Sequence, residues 1–261
     1  MNIVLFQWEE MDKPLPLKDE RAKHIIKVLH KQPGDSFEAG IINGKAGQAE
    51  ITAITDDGIS FHFLPLTDGK PLYPITLIIG FPRPIQLKRL FRDVAGLGAS
   101  RLCLCGTELG EKSYMDSNIV ERGAAYAALL DGTAQAKSTH VPELTLFPSV
   151  KACLSALFPE DKAFDSNCPG THDACRPNDI RVMLDNVKPE SSLFSYMGKC
   201  EAKNAQMTYA AIGSERGWTD RERNLFTENG FASCSMGCRV LRTETAATVA
   251  MSLILQSLEL L

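Results

Sequence analysis

The sequence predicts an α/β protein in two parts: a small β-barrel, then a larger domain with a mostly parallel sheet covered by helices on both faces. Three observations predict it. Hairpin signals at Asn43-Gly44 and Asp56-Asp57-Gly58 punctuate short apolar runs between residues 36 and 64. Prolines then cluster at Pro65, Pro71 and Pro74, a composition that suits a domain boundary. Beyond them, apolar strand-like runs alternate with helical periodicity, the pattern of a sheet with crossover helices. The expected domains are therefore 1–70 and 71–261.

The elements follow in order. Ile3-Val4-Leu5-Phe6 is a short apolar strand. Asp19 to His30 has helical spacing through Ala22, Ile25, Ile26 and Leu29, and Gln32-Pro33-Gly34-Asp35 ends it. Strands are expected at Ser36–Ile42, Ala46–Ile54 and Ile59–Leu64. In the second domain, Leu77-Ile78-Ile79, Arg101–Cys105, Arg181–Asp185 and Met207–Ile212 read as strands. Ile85–Leu97 reads as a helix, with Leu87, Leu90, Phe91 and Val94 on one side. Asn118–Leu130, Val150–Leu157, Asp220–Glu228 and Thr245–Leu260 are further helices, and Thr219 with Glu222 supplies a capping box for the third of these.

Composition restricts the function. The formal net charge of −4 argues against a surface coated for nucleic-acid binding, but two local runs are basic. Lys18, Arg21, Lys23, Lys27 and Lys31 face only Asp19 and Glu20; Arg83, Lys88, Arg89, Arg92 and Arg101 face only Asp93. Each run could be a solvated helix face; two of them in an acidic chain point to a polyanion, with Arg21, Lys27, Lys31, Arg83, Lys88 and Arg92 as its contacts. No apolar run reaches the ~18 residues of a membrane span. Met1–Asp12 carries Glu9, Glu10 and Asp12 without a basic flank, unlike a secretory signal. The eight cysteines are irregularly spaced in a long chain, which suits free thiols in the cytoplasm better than a disulfide framework.

The chemistry concentrates near the C-terminus. Ala210-Ala211-Ile212-Gly213-Ser214-Glu215-Arg216-Gly217-Trp218-Thr219 and Met236-Gly237-Cys238-Arg239-Val240-Leu241-Arg242-Thr243-Glu244-Thr245-Ala246 each carry a glycine turn ahead of a helix. Glycine lets a ligand approach the main chain closely. Neither segment is a phosphate-cradling Gly-Lys-Ser/Thr loop or a dinucleotide fingerprint. A different small ligand, held by backbone groups, is expected; a pair of ordinary tight turns is the plainer alternative.

These segments resemble the RsmE family of ribosomal RNA uridine-N3 methyltransferases, in the SPOUT superfamily. The family motif close to Ile-Gly-Pro-Glu-Gly-Gly-Phe-Ser is similar to Ile212–Thr219, and Leu-Gly-x-Arg-Ile-Leu-Arg-x-Glu-Thr-Ala is similar to Met236–Ala246. Near the N-terminus, His24–Leu29 with Pro33-Gly34-Asp35 resembles the family's His-x-x-x-Val-Leu-Arg and Gly-Asp. The chain departs from the pattern at Gly96-Leu97-Gly98-Ala99, at Leu29-His30, in the absence of an Arg-Ser pair between Gly106 and Ser113, and at Gln135-Ala136-Lys137-Ser138, where Ser138 holds an arginine position.

The resemblance implies a PUA-like RNA-binding barrel, a SPOUT domain tied in a trefoil knot, a homodimer, and S-adenosylmethionine as cofactor. It implies cofactor contacts at Asp185, Ile212, Gly213, Ser214, Glu215, Gly217, Met236, Gly237, Arg239, Val240, Leu241 and Thr245, with Asn186 a further candidate. Arg242 is the expected catalytic cation, because a guanidinium holds an anionic base edge or phosphate bidentately. A salt bridge to Glu244 or Glu215 is its structural alternative. Glu244 would orient Arg242, act as base, or favour the final helix start. Trp218 is expected in the core. The implied activity is methylation of uridine N3 in small-subunit ribosomal RNA, free or in the subunit; another RNA site, or RNA binding without turnover, are the alternatives. Cys168, His172 and Cys175 supply only three zinc-type ligands in a Pro/Gly-rich loop, so a surface insertion and no metal are expected.

Overall fold

The computed structural model describes residues 2–115, 123–159, 178–200 and 205–261. The chain forms two compact units, residues 1–72 with 129–141, and 73–128 with 142–261.

In the first unit, β1 (Val4–Phe6) pairs in parallel with β2 (Ser36–Ile41). Antiparallel pairs then join β2 to β3 (Ala46–Thr55) and β3 to β4 (Gly58–Thr67). The expected turns close both hairpins, and Asn43 takes a left-handed conformation that asparagine tolerates (φ 56°). Pro65 lies inside β4, at the free edge of the sheet, where a missing N–H costs no ladder bond. Val4, Phe6, Ile25, Phe37, Ile51 and Ile59 form the core with Phe61 stacked 4.8 Å from Phe6. The expected helix begins at α1 (Glu20–Lys23), capped by Asp19, and widens into a π-helical turn at His24–Val28. Residues 137–141 complete this unit: the Thr139 hydroxyl donates to Gly44 O at 2.7 Å, and Val141 N donates to Asn43 Oδ1 at 2.9 Å.

The second unit is a seven-stranded sheet, and every pairing in it is parallel. Its order is β7 (Glu143–Phe147), β6 (Ala99–Cys105), β5 (Tyr73–Gly80), β10 (Thr208–Ile212), β8 (Ile180–Leu184), β11 (Ala232–Ser235) and β9 (Ser191–Ser192). The central strands β8 and β10 are buried throughout, as expected for a sheet covered on both faces. Ile78, Cys103, Met183, Tyr209 and Ala211 pack with α4 (Val150–Leu157) and with Trp218 and Phe226. Alternation sends Leu77, Leu102, Val182 and Ala210 to the opposite face. Among the helices, α2 (Pro84–Gly96) packs on α7 (Thr243–Ser257), and α5 (Leu193–Lys199) also contacts α7. The helix α6 (Asp220–Glu228) completes the set, and the Thr219–Glu222 capping box forms as expected; α3 (Ala124–Gln135) is divided between the two units at residue 129.

Candidate active site

Three neighbouring parallel strands, β10, β8 and β11, end at one cavity of about 320 Å³. Parallel sheets place ligands outside the carboxyl ends of their strands, because the backbone there is released from pairing. β8 delivers Leu184, Asp185, Asn186 and Val187; β10 delivers Ile212 through Trp218; β11 delivers Met236, Gly237, Arg239, Val240 and Leu241.

The first wall is a closed turn. Gly217 N donates to Ser214 O at 2.9 Å, and Gly217 sits at φ +70°. A Cβ on Gly213 would lie 2.9 Å from Gly217 Cα, so the two glycines permit each other's approach. The tip residues diverge. Glu215 Oε1 accepts from Arg83 N at 2.9 Å, at the start of α2, where a carboxylate meets the positive end of the helix. Trp218 is buried, donates from Nε1 to Leu184 O at 3.3 Å and stacks against Phe226, as a core residue would; one side of it also lines the cavity.

The second wall, Met236–Leu241, runs into α7, and Thr243 Oγ1 donates to Gly213 O at 3.3 Å, tying the walls together. Gly237 has φ +109°, and a Cβ there or on Gly217 would meet nothing within 4 Å. Both glycines thus border open space that a side chain would fill. Ile212, Met236, Leu241 and Ala246 add apolar surface. A cavity of this size and mixed character suits a small organic ligand.

Asp185 forms the floor charge. Burial raises its proton affinity, and Arg223, donating from Nε at 2.7 Å and from Nη2 at 3.2 Å, opposes this. Val187 N and Lys188 N also donate to it, and its carboxyl is held below the usual carboxylate range.

Every expected cofactor residue except Thr245 lines this cavity. Thr243 and Ala246, three apart on one helical face, line it instead, and Thr245 falls between them. Arg242 and Glu244 are also off the lining. Arg242 is the exposed N-cap of α7 and forms no ion pair with Glu244 or Glu215. Glu244 is 3% exposed, and its Oε2 has no hydrogen-bond partner among the described residues. Arg216, not anticipated, lines the cavity.

The basic candidates divide. Arg21 is committed inside the first unit: it donates to Glu10, Asp19 and Leu5 O, and lies over the Phe6 ring at 5.0 Å. Its hydrogen bonds hold both carboxyls below their usual range. An arginine neutralised in this way is a structural tie, and the expectation that Arg21 meets a polyanion is withdrawn. Lys27, Arg83, Lys88 and Arg92 have exposed positions, and Lys31 is half-buried. Ser138, the arginine position of the resemblance, is 8% exposed and donates to Lys70 O. Cys168, His172 and Cys175 lie outside the described residues. Among the described residues, no helix is long and apolar enough to cross a membrane.

Comparison with known proteins agrees with this geometry. Residues 68–255 match an RNA methyltransferase domain, and residues 17–64 match an RNA methyltransferase PUA domain. The chain is 40% identical to ribosomal RNA small subunit methyltransferase E of Treponema pallidum over 98% of this chain and 91% of that protein. It is 27% identical to methyltransferase E 1 of Borreliella burgdorferi, covering 98% of both chains. Among solved structures, the Neisseria gonorrhoeae ribosomal RNA small subunit methyltransferase E bound to S-adenosyl methionine has the same fold. Its TM-score is 0.71 at 19% identity, covering 98% of this chain and 97% of that one. With its RNA methyltransferase domain, its PUA domain and a near full-length match, the chain belongs to the ribosomal RNA small subunit methyltransferase E family.

Proposed function

We propose that this chain methylates N3 of a uridine in small-subunit ribosomal RNA, with S-adenosylmethionine as donor, in the cytoplasm and as a homodimer. The observation that carries the reading is the cavity at the ends of β8, β10 and β11, whose two glycine walls border open space. The residues fit the cofactor. Main-chain groups of Ile212–Gly217 and Met236–Leu241 would hold its polar edges, and Ile212, Leu241 and Ala246 its apolar parts.

Bound S-adenosylmethionine supplies a methyl group on a sulfonium, already a good leaving group. The protein's remaining work is position and charge. Uracil N3 carries a proton and becomes nucleophilic as that proton leaves. Arg242 is the cation we assign to the resulting anionic edge: it is exposed, and neither Glu215 nor Glu244 neutralises it. Glu244, buried with one oxygen unpartnered among the described residues, is a positioning group at the start of α7. Lys27, Lys31, Arg83, Lys88 and Arg92 are assigned to RNA phosphates.

The test uses the purified chain, S-adenosylmethionine and small-subunit ribosomal RNA, naked or assembled, with nucleosides read by mass spectrometry. 3-Methyluridine is expected. Arg242→Ala should lose at least a hundredfold in kcat/KM, as removal of a charge-stabilising donor commonly does at ~10²–10³-fold, with cofactor affinity unchanged. Methylation of a different atom would redirect the chemistry, and turnover undiminished in Arg242→Ala would remove it from the mechanism.

A further inference from the structure

The family motif has glycine where this chain has Arg216, and the arginine that the family carries after β6 is missing. The structure relates the two changes. Ser214–Gly217 is a closed turn with Glu215 and Arg216 at its tip, both on the cavity lining. Glu215 is held by Arg83 N. Arg216 reaches the segment after β6, where Nη1 meets Leu109 O and Nη2 meets Glu111 Oε1, both at 3.4 Å. These are long contacts, and the Arg216 and Glu111 side chains are 65% and 53% exposed. An ion pair so open to water contributes little to stability and exchanges readily for a better anion.

The surrounding charges narrow that anion. The other acids near the turn are engaged: Asp185 by Arg223, and Glu108 by the Thr219 hydroxyl and by Arg221 at 3.4 Å. Arg239 is the other guanidinium on the lining. Glu111 is thus the carboxylate of the segment after β6 that Arg216 offsets, at 3.4 Å.

Building on the methyltransferase reading above, we infer that Arg216 is a substrate-positioning residue, which leaves Glu111 to take an RNA phosphate beside the target nucleotide. Its planar fork matches two phosphate oxygens, and Glu111 holds it extended until RNA arrives. Arg216 and Glu111 thus oppose each other in RNA affinity.

The experiment compares the full-length wild type with Arg216→Gln, Arg216→Lys and Glu111→Gln. RNA affinity is measured against salt concentration with a small-subunit ribosomal RNA transcript, S-adenosylmethionine affinity by calorimetry, and KM and kcat for RNA where turnover occurs. Arg216→Gln should weaken RNA binding about tenfold and lower the salt slope by about 1, the signature of one lost phosphate contact, with cofactor affinity unchanged. Arg216→Lys should keep the slope and lose part of the affinity. Glu111→Gln should tighten RNA binding severalfold. An unchanged RNA affinity and slope in Arg216→Gln would overturn the inference, as would weakened cofactor binding with RNA binding intact. The binding arms need no turnover: a wild type that binds RNA without methylating it would sink the activity reading, while the salt slope still decides the role of Arg216.

Discussion

The Asp185 carboxylate shows how single residues serve both packing and site. It is 7% exposed, and burial raises its proton affinity; Arg223 and two turn N–H groups together outweigh that. Because its folded pKa lies below the ordinary 3.8, its stabilising contribution is complete above that value and is lost as pH falls through the lower folded value. The pair should therefore contribute fully and without pH dependence to the melting temperature between pH 7 and 5, with a decline below about pH 4. Arg223→Met would leave the buried carboxylate uncompensated, at a cost of about 3 kcal/mol. Denaturant melts of the variant at pH 7 check the size. A variant as stable as the wild type would mean that Asp185 is solvated or neutral.

At this same scale the sequence was informative for backbone and silent for partners. Glycine at 213 marks a close approach, where a Cβ would lie 2.9 Å from Gly217 Cα, and glycine at 217 and 237 marks positive φ; the cavity walls follow. Arg21 looks like any other member of a basic run, and only its three-dimensional neighbours Glu10 and Asp19 reveal it as internal. Arg216 breaks a motif, which hid it as a departure; its place on the lining depends on how the turn presents its tip.

Among the elements, legibility followed periodicity and end signals. Thr219 and Glu222 marked the start of α6, and the reciprocal bonds are present: Glu222 N donates to Thr219 Oγ1 at 3.1 Å, and Thr219 N to Glu222 Oε2 at 2.9 Å. Glu222 Oε1 also accepts from Glu108 N, so the cap ties α6 to the segment after β6. Thr219→Ala should destabilise the protein by about 1 kcal/mol, measured by chemical denaturation. No measurable change would mean that water replaces the cap. β11 escaped notice because Ala232-Ser233-Cys234-Ser235 has no β-branched or aromatic residue; its pairing with β8 comes from tertiary context. That omission matters, since β11 feeds Met236–Gly237 into the cavity. The short β9, only Ser191-Ser192, has no local pattern either, whereas β7 does carry Thr145 and Phe147 in alternation and is fixed as a strand by its pairing with β6. The start of α7 at Thr243 rather than Thr245 shifts which residues face the cavity, which a helix boundary read from sequence is too coarse to fix.

For the molecule as a whole, the strand–helix alternation gave a parallel sheet, and the hairpin signals gave a separate β-rich unit. What local pattern could not give was the strand order β7-β6-β5-β10-β8-β11-β9, in which β8 lies between strands that follow it in the chain. Nor could it show that residues 129–141 group with the first unit, since Thr139 and Val141 find partners at Asn43 and Gly44, far away in sequence. The family resemblance carried the activity and cofactor; the cavity at the ends of three adjacent strands is the place we propose for them.

The central claim is methyl transfer to uridine N3 in ribosomal RNA. Its most direct test is mass spectrometry of nucleosides from small-subunit ribosomal RNA of cells with the gene, without it, and with it restored. 3-Methyluridine should disappear on deletion and return on re-expression, but not with Arg242→Ala. Ribosomal RNA carrying the same 3-methyluridine in the deletion strain would contradict it.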